Sequence, residues 1–250
     1  MNTVNAPTAF ARNVMELLGC IEYRLAQTHE EKEAIYRLRY ACYLREGAIR
    51  PNRSHLFHDD YDRAPNVWIF GIHIGDRLAS SIRVHVATPD VPISPGLAIF
   101  NDILQPRIDR GETIVDPTRF VVDHDLSRQH PALAYATVRL GMLASEYFDA
   151  DYALATVRRE HRAFYRRLLC MEPVGEPRRY PSLKDPINLM GVSFPLMRQR
   201  VYDRYPFLIS SAVERDFLFG RSAEALALRE AIRARRALAA PAAVAGQAAA

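Results

Sequence analysis

The segment 113–122 constrains the fold more than any other part of this chain. Its β-branched residues and Phe120 are typical of a buried strand, yet it also contains Asp116, Pro117 and Arg119. Proline cannot donate a hydrogen bond to a neighbouring strand, so a proline inside a central strand indicates a β-bulge. One extra residue would bring Asp116 and Arg119 to the same face, because side chains alternate along a regular strand. We therefore predict a bulged strand that presents an acid and a guanidinium together. The other interpretation is an edge strand with a surface ion pair.

The composition is that of a globular protein with a sizeable core. The chain has 250 residues, of which 49% are apolar and 25% charged, a balance typical of soluble domains. The net charge of +4 is mild and favours acidic partners only where the cations cluster. No basic–aromatic stripe is present, and no apolar run approaches the roughly 18 residues that a membrane helix needs. We expect neither a nucleic-acid partner nor a transmembrane segment.

The cysteines and histidines indicate a cytoplasmic protein without a metal site. Cys20, Cys42 and Cys170 are odd in number and far apart, which is typical of reduced thiols inside a cell. The first twenty residues have neither a basic start nor a continuous apolar stretch, so no signal peptide is expected. His73 and His85 lie on predicted strands and are interpreted as scaffold residues. No histidine shares a metal-ligand spacing with a cysteine.

The apolar pattern predicts a mixed α/β chain without repeats. Before the bulged strand, the predicted elements are an amphipathic helix at about 7–18, a strand at 21–28, a helix at 30–45, a long connection at 47–66, a hairpin of 67–74 and 78–86, and a second long connection at 88–112. After it come a helix from Pro131 to about Ala150, a strand at 152–157, a basic helix at 160–170, weaker strands at 174–180 and 187–194, and partly helical sequence at 201–219. The boundaries predicted from this order are an N-terminal segment at 1–20, a main domain at 21–220 and a C-terminal segment at 221–250. That last segment should be an Ala/Arg-rich helix to about Ala239, followed by a disordered tail.

This order of elements resembles the GCN5-related N-acetyltransferase fold, a mixed central sheet flanked by helices. In that family a bulged fourth strand and the fifth strand diverge, and an acyl-pantetheine thioester lies in the gap. The helix after the fifth strand often supplies a tyrosine that protonates the leaving thiolate, and the segment 160–165 places Tyr165 there. Core packing beside Phe164 is the other explanation for Tyr165. The resemblance implies that 21–220 is the catalytic domain.

One departure from that family concerns the acyl donor. The glycine-rich loop that binds the diphosphate of coenzyme A is absent, and residues 123–130 contain Asp123 and Asp125 instead. Two aspartates would repel a diphosphate. The expected donor is therefore an acyl-phosphopantetheine thioester on acyl carrier protein, with no bound cofactor. Because that carrier is acidic, we expect it to dock on a basic surface; the alternative is a solvated basic face. The candidate docking arginines are Arg158, Arg159, Arg162, Arg166 and Arg167.

A closer resemblance, covering about 21–219, is to acyl-homoserine-lactone (autoinducer) synthases and, more closely, to long-chain N-acyl amino acid synthases. The residues that carry it are Tyr36–Tyr40 (YRLRY), Tyr43–Gly47 (YLREG), Asp59-x-Tyr61-Asp62, Ser81–His85 (SIRVH), Asp116–Phe120 (DPTRF), Arg158–Arg166 and Arg204–Phe207 (RYPF). In autoinducer synthases an early arginine, a D-x-x-D pair, an arginine on the third strand and an E-x-x-R motif on the fourth line the cleft. The resemblance places these roles on Arg37 or Arg39, Asp59 and Asp62, Arg83, and Asp116 with Arg119.

Two differences favour the amino acid synthase branch. Asp116 stands where autoinducer synthases have glutamate, and the tryptophan that follows their first helix is missing, since the only tryptophan is Trp68. Asp-Pro-Thr-Arg-Phe looks characteristic of the N-acyl amino acid synthases. The resemblance thus implies a bacterial N-acyltransferase that moves a long acyl chain from acyl carrier protein to the amine of an amino acid. The alternatives are an autoinducer synthase and a non-catalytic module that binds acyl carrier protein.

The chemistry of such a reaction assigns roles that the sequence leaves partly open. An amino acid ammonium must lose a proton before it attacks a thioester, so a carboxylate base is required. Asp116, the Asp59/Asp62 pair and Glu160 are the candidates. An arginine fork suits the acceptor carboxylate, and Arg119 and Arg83 are the candidates for it. The bulge would free backbone N–H groups for the tetrahedral intermediate.

Overall fold

The structure, a computed structural model, describes residues 8–245, and within the last helix it leaves out the side chains of residue 233 and of 236–245. Two compact units divide between Ile209 and Ser210. Within residues 8–245, no helix is both long and apolar enough to cross a membrane. The three cysteines are free thiols.

The first unit contains one seven-stranded mixed sheet. Its strands are β1 (Ile21–Leu25), β2 (Val67–Ile74), β3 (Arg77–Ala87), β4 (Ile114–Val122), β5 (Tyr152–Val157), β6 (Glu172–Pro173) and β7 (Asn188–Ser193), in the spatial order β1-β2-β3-β4-β5-β7-β6. All neighbours are antiparallel except β4 and β5. The predicted hairpin, bulged strand and fifth strand are confirmed.

Helices cover both faces of this sheet. Those of the first unit are α1 (Ala9–Leu18), α2 (His29–Arg45), α3 (Pro95–Ile99), α4 (Asn101–Asp109), α5 (His124–Gln129), α6 (Leu133–Tyr147), α7 (Arg162–Leu169) and α8 (Phe194–Arg204). The second unit contains α9 (Ala212–Phe219) and α10 (Ala223–Ala245). A capping box begins α2, in which Thr28 accepts a hydrogen bond from Glu31 N and the Glu31 carboxylate accepts one from Thr28 N.

The central helix α6 lies on one face of the sheet, where it packs against β3 and β4. Leu133, Ala136, Leu140 and Leu143, which share its apolar stripe, are fully buried. Gly141 permits close approach to β4, because a Cβ there would lie 3.0 Å from Pro117. Proline therefore faces the helix, and the polar residues next to it in sequence face the opposite side of the sheet.

The opposite face is covered by α2, α3 and α4. The sequence reading missed α3 and α4, because four prolines between residues 88 and 112 predicted an irregular connection. Pro95 instead occupies the first turn of α3, where the missing N–H costs nothing, and Ser94 caps that helix by accepting from Leu97 N at 3.1 Å. Together α3 and α4 bury an apolar cluster against β4, β5 and β7.

Several predicted boundaries are wrong. The basic helix begins at Arg162, after a short 3₁₀ turn at Arg159–His161. The helix predicted from Pro131 to about Ala150 spans Leu133–Tyr147, and α5, which the sequence did not predict, precedes it. Helix α10 continues to Ala245, past the expected end at Ala239, because alanine has the highest helix propensity. The rest of the predicted disordered tail, 246–250, lies outside the described residues.

Candidate active site

The predicted bulge in β4 is confirmed. Arg119 and Phe120 lie together opposite Ile82 of β3, since the register of the pair shifts there. Arg119 has a φ of 53°, in the left-handed region that a residue with a side chain rarely adopts. The bulge begins two residues after Pro117, and it brings Arg119 to the face on which Asp116 also lies. This local distortion aims the guanidinium at the cleft rather than at α6.

Three arginines and two aspartates form a buried cluster on this face, the Asp–Arg cluster. Arg39 Nη1 on α2 donates to Asp62 Oδ1 at 2.7 Å. Arg83 Nη1 on β3 lies 2.5 Å from Asp59 Oδ1 and 3.0 Å from Asp62 Oδ2. Arg119 Nη2 donates to Asp59 Oδ2 at 2.5 Å. With both carboxylates ionised, the cluster carries one more positive than negative charge.

The electrostatics of the cluster keep both aspartates ionised. Burial opposes ionisation of Asp59, but Arg83 and Arg119 hold its pKa well below the usual range. In the same way Arg39 and Arg83 overcome burial and lower the pKa of Asp62. Carboxylates with such low proton affinity are poor proton acceptors and good fixed anions.

Asp116 has the opposite character. It is completely buried, and burial raises its pKa in spite of the hydrogen bond that Gly96 N donates to Oδ2 at 2.8 Å. Its other oxygen, Oδ1, has no hydrogen-bond partner within residues 8–245. Gly96 is required at this contact, because a Cβ there would lie 2.8 Å from Asp116 Oδ2. Asp116 is thus a carboxylate with raised proton affinity and one free acceptor atom.

Asp116 lies where the central strands separate. The parallel pairing of β4 with β5 consists of Ile114 with Tyr152 and Val115 with Ala153, immediately before Asp116. Beyond this point β4 pairs with β3 and β5 pairs with β7, so the two strands diverge. The predicted gap between the bulged strand and the fifth strand is present.

Two tyrosines are associated with this gap. Tyr165 of α7 is buried in the apolar core, packs against Phe164 at 5.2 Å between ring centroids, and makes no hydrogen bond within the described part of the chain. Burial raises its pKa, as does Tyr43 of α2. The ring of Tyr43 also lies 5.7 Å from the Arg119 guanidinium carbon. Tyr43 therefore lies near residues from both sides of the gap.

Sequence reasoning missed two residues that complete the cluster, Tyr180 and Ser182. Both lie in the connection between β6 and β7. The Tyr180 hydroxyl donates to Asp59 Oδ2 at 3.0 Å, and Arg119 Nη2 donates to Ser182 Oγ at 3.2 Å. Burial raises the pKa of Tyr180 to about 12, so its hydroxyl stays protonated as a donor. No local pattern links residues so far apart in sequence, and only the fold brings them together.

His85, interpreted from the sequence as a scaffold residue, lies beside Asp116 across the β3–β4 ladder. Its Nε2 is 3.0 Å from the carbonyl oxygen of Tyr61. Burial lowers the pKa of His85 to about 3, so the ring is neutral and donates to that carbonyl. Among residues 8–245, no group of histidine, cysteine, aspartate or glutamate side chains could hold a metal ion.

Two sequence candidates, Arg37 and Glu160, lie outside the cluster, and a third, Phe120, is next to Arg119. Arg37 is exposed and pairs with Glu33 one helical turn away, so Arg39 is the arginine of α2 that enters the cluster. Glu160 is exposed and pairs with Arg158 at 3.1 Å. Phe120 is partly buried at the bulge.

The candidate docking arginines differ in their surroundings. Arg158 is largely covered and pairs with Glu46 at the end of α2 at 2.5 Å, which gives it a structural contact. Arg159, Arg166 and Arg167 are exposed, and Arg162 is partly exposed. Arg166 also pairs with Glu172 at 2.6 Å. The exposed basic surface is therefore centred on α7 rather than on a continuous helix from residue 158.

The residues that replace the glycine-rich loop form α5. Asp123 caps this helix by accepting from Leu126 N at 3.0 Å, and Asp125 lies in its first turn. The backbone donors that could approach a diphosphate therefore face two carboxylates of the protein itself.

Together the diverging β4 and β5, the bulge and the buried acid between them define an N-acyltransferase with the GCN5-related fold. Residues 34–193 match the family described as N-acyl amino acid synthase FeeM. The protein belongs to this family, and its chemistry is acyl transfer in the synthesis of an N-acyl amino acid or an acyl-homoserine.

Solved structures share this fold at low sequence identity. FeeM, an N-acyl amino acid synthase from uncultured soil microbes, is 19% identical with a TM-score of 0.60, and the match covers 74% of this chain and 96% of FeeM. The acyl-homoserine-lactone synthase LasI is 11% identical with a TM-score of 0.56, covering 76% and 96%. BjaI, a CoA-dependent acyl-homoserine-lactone synthase, is 16% identical with a TM-score of 0.52, covering 81% and 92%. No curated protein sequence matches the chain significantly.

Proposed function

We propose that the protein transfers a long acyl chain from the phosphopantetheine thioester of acyl carrier protein to the α-amine of an amino acid. The observation that carries this proposal is Asp116, a buried carboxylate with a free oxygen at the point where β4 and β5 diverge. A base in that position is what an ammonium acceptor needs before it attacks a thioester in the gap. Membership of a family described as N-acyl amino acid synthases supports the same acceptor class.

Among the carboxylates, Asp116 is the best proton acceptor. The arginines that lower the pKa of Asp59 and Asp62 make both of them weak bases, and Glu160 is exposed beside Arg158. Burial instead raises the pKa of Asp116 toward the range in which general bases work. Asp116 accepts the proton directly or through one water, and the Asp–Arg cluster holds the charges around it.

The reaction then proceeds as an acyl transfer. The freed amine attacks the thioester carbonyl, the C–N bond forms, and the C–S bond breaks. Backbone N–H groups at the bulge stabilise the oxyanion. Tyr165, protonated because burial raises its pKa, gives its proton to the leaving thiolate, and the second proton of the attacking nitrogen is released to restore the tyrosine hydroxyl. Apolar residues that flank the gap, including Leu97 and Leu154, suit the acyl chain.

Acyl carrier protein is the better-supported donor because of two features. The capped and acidic start of α5 disfavours the diphosphate of coenzyme A. The exposed arginines of α7 suit an acidic carrier. BjaI, which shares the fold, is described as CoA-dependent, so the donor has to be tested directly.

The test compares donors and acceptors with the purified protein. It receives acyl carrier protein or coenzyme A carrying the same acyl chain, with amino acids or with S-adenosylmethionine. Free thiol release and mass spectrometry follow both products. We expect N-acyl amino acids from the carrier-bound chain. Equal use of acyl-CoA would overturn the donor assignment, S-adenosylmethionine consumption with lactone release would indicate an autoinducer synthase, and carrier binding without thiol release would indicate a non-catalytic module.

A further inference from the structure

A pocket of about 320 Å³ lies between the first half of α2 and the connection that follows this helix. Its walls include Lys32, Tyr36, His58, Asp59, Asp62 and Arg63. This volume is at the lower end of the range for small-molecule sites, which suits a ligand the size of an amino acid. The pocket is continuous with the Asp–Arg cluster through Asp59 and Asp62.

Two cations in this pocket have no partner. Neither the Lys32 ammonium nor the Arg63 guanidinium makes an ion pair or a side-chain hydrogen bond within residues 8–245. Lys32 is partly buried against the pocket, whereas Arg63 is exposed at its edge. The arginines of the neighbouring Asp–Arg cluster, Arg39 and Arg83, are already paired with Asp62 and Asp59. Glu33, a further carboxylate of the pocket wall, pairs with Arg37 and lies 3.6 Å from His29. Lys32 and Arg63 are therefore the cations of the pocket that remain available to a free anion.

Asp59 supplies a negative charge that could bind the ammonium group of an amino acid. Its carboxylate lines the pocket and keeps 20% of its side-chain surface exposed, while Arg83, Arg119 and Tyr180 donate hydrogen bonds to it. Arg119 belongs to the bulge of β4, so Asp59 connects the pocket to the strand that carries Asp116. An ammonium group at Asp59 would stand at the boundary between the two sites.

We propose that this pocket holds the acceptor amino acid, with its α-carboxylate at Lys32 and Arg63 and its α-ammonium at Asp59. This inference rests on the proposed function and assigns the acceptor carboxylate to residues other than Arg83 and Arg119. Those two arginines already bind Asp59, and releasing either would leave a buried charge unpaired. Asp59 positions the ammonium without removing its proton, which passes to Asp116. The acceptor side chain lies along Tyr36 and His58, whose rings are 4.9 Å apart.

The experiment measures binding and turnover separately. Isothermal titration of the full chain, without any acyl donor, is carried out with each of the twenty amino acids and with the α-amide of the best ligand. Lys32→Gln and Arg63→Gln should each raise the Kd and the KM for the amino acid about tenfold, with kcat and the donor KM retained. The matched control is Arg53→Gln, which removes an exposed arginine of the same connection that does not line the pocket.

The amide provides the second readout. It lacks the carboxylate that both cations would bind, so it should bind the wild-type protein about as weakly as the free amino acid binds the double variant Lys32→Gln/Arg63→Gln, and either single substitution should weaken amide binding little further. If the variants bind and use the acceptor as the wild type does, the pocket assignment is wrong even when acylated amino acids are formed. If the wild type binds amino acids here but forms no acylated product, the proposed function fails and the binding site stands.

Discussion

At Arg39 a full charge is buried where the apolar spacing of α2 predicts a hydrophobic stripe. Ile35, Leu38 and Cys42 recur at helical spacing in this segment, whereas the structure buries Ile35, Arg39 and Tyr40. A buried guanidinium is tolerated only with a partner, and Asp62, which lies 23 residues further along the chain, supplies it. Periodicity could not predict this, because the stabilising residue belongs to another segment.

The sequence left Arg37 and Arg39 as alternatives, and measurements of the free energy of unfolding can distinguish them. Arg39→Met should lower the free energy of unfolding by about 3–5 kcal/mol, because it removes one partner of a buried pair and leaves Asp62 undercompensated. Arg37→Met is the matched control on the same helix. Its exposed pair with Glu33 should contribute little that can be measured. Urea unfolding at neutral pH measures both, and equal losses would contradict the assignment of Arg39 to the cluster.

Asp116→Asn should lower kcat by about 10²–10⁴ while preserving the fold, because it removes a general base without changing the volume. The pH profile provides the sharper test. A base works ionised, so wild-type activity should fall as the pH drops through the raised pKa of Asp116, above the ordinary carboxyl value of 3.8. The variant should lack this acid limb. Wild-type turnover in the variant would contradict the role.

Stability gives an independent check on the same residue. Because the folded protein raises the pKa of Asp116, the wild type should lose stability as the pH rises from 3.8 through the raised pKa, whereas the asparagine variant should not lose this contribution. Asp90→Asn, at an exposed position, serves as the control for an aspartate substitution. Thermal midpoints between pH 3.5 and 8 distinguish the two variants.

Among the elements, β4 was the most predictable. Its β-branched run predicts a strand, and its proline and charged residues predict the bulge, because no regular central strand accommodates them. The same reasoning failed between residues 88 and 112, where Pro95 begins a helix rather than preventing one. Tyr180 and Ser182 were also missed, since a loop between short strands gives no signal of what it contacts. Local chemistry thus predicted the distorted element, whereas the residues that complete the cluster depend on the fold.

The helix α7 carries the prediction about the donor. The double change Arg162→Glu and Arg166→Glu should raise the KM for acyl carrier protein far more than that for a small acyl-pantetheine thioester, because only the carrier presents an acidic surface to α7. The difference should shrink as salt is added, since the Debye length is about 8 Å at physiological ionic strength. Steady-state kinetics with both donors at several salt concentrations measure it.

The matched control for the α7 variant reverses the charge at two other positions, through Arg77→Glu and Arg110→Glu. Arg110 resembles Arg166, because each is largely exposed and pairs with one glutamate, Glu112 and Glu172 respectively. This control should leave the carrier KM unchanged. An equal loss with both donors in the α7 variant would indicate a role in the site or in folding rather than docking.

On the scale of the whole chain, the second unit raises the question of what α10 contributes. Leu226 and Leu228 are the large apolar side chains near the start of this helix, yet both are exposed. Among the α10 side chains that the structure describes, Ala225 and Arg229 are buried. Arg229 donates to the carbonyl oxygens of Phe217 and Gly220 at 2.7 and 2.6 Å, so its guanidinium caps the end of α9.

Truncation after Gly220 tests this role of α10. The shortened chain should lose roughly 1–3 kcal/mol of unfolding free energy, the contribution of charge-assisted hydrogen bonds to the α9 carbonyls. Its acceptor preference should not change, because the described site residues all precede Ile209.

Full-length Arg229→Met should reproduce most of the loss. Deletion of residues 241–250 should alter neither thermal midpoint nor activity, since this Ala-rich sequence has little apolar surface to bury. Urea unfolding and product analysis by mass spectrometry measure both properties. A truncated chain that acylated a different amino acid would show that the second unit helps to build the site, and the boundary predicted at residue 220 would be wrong.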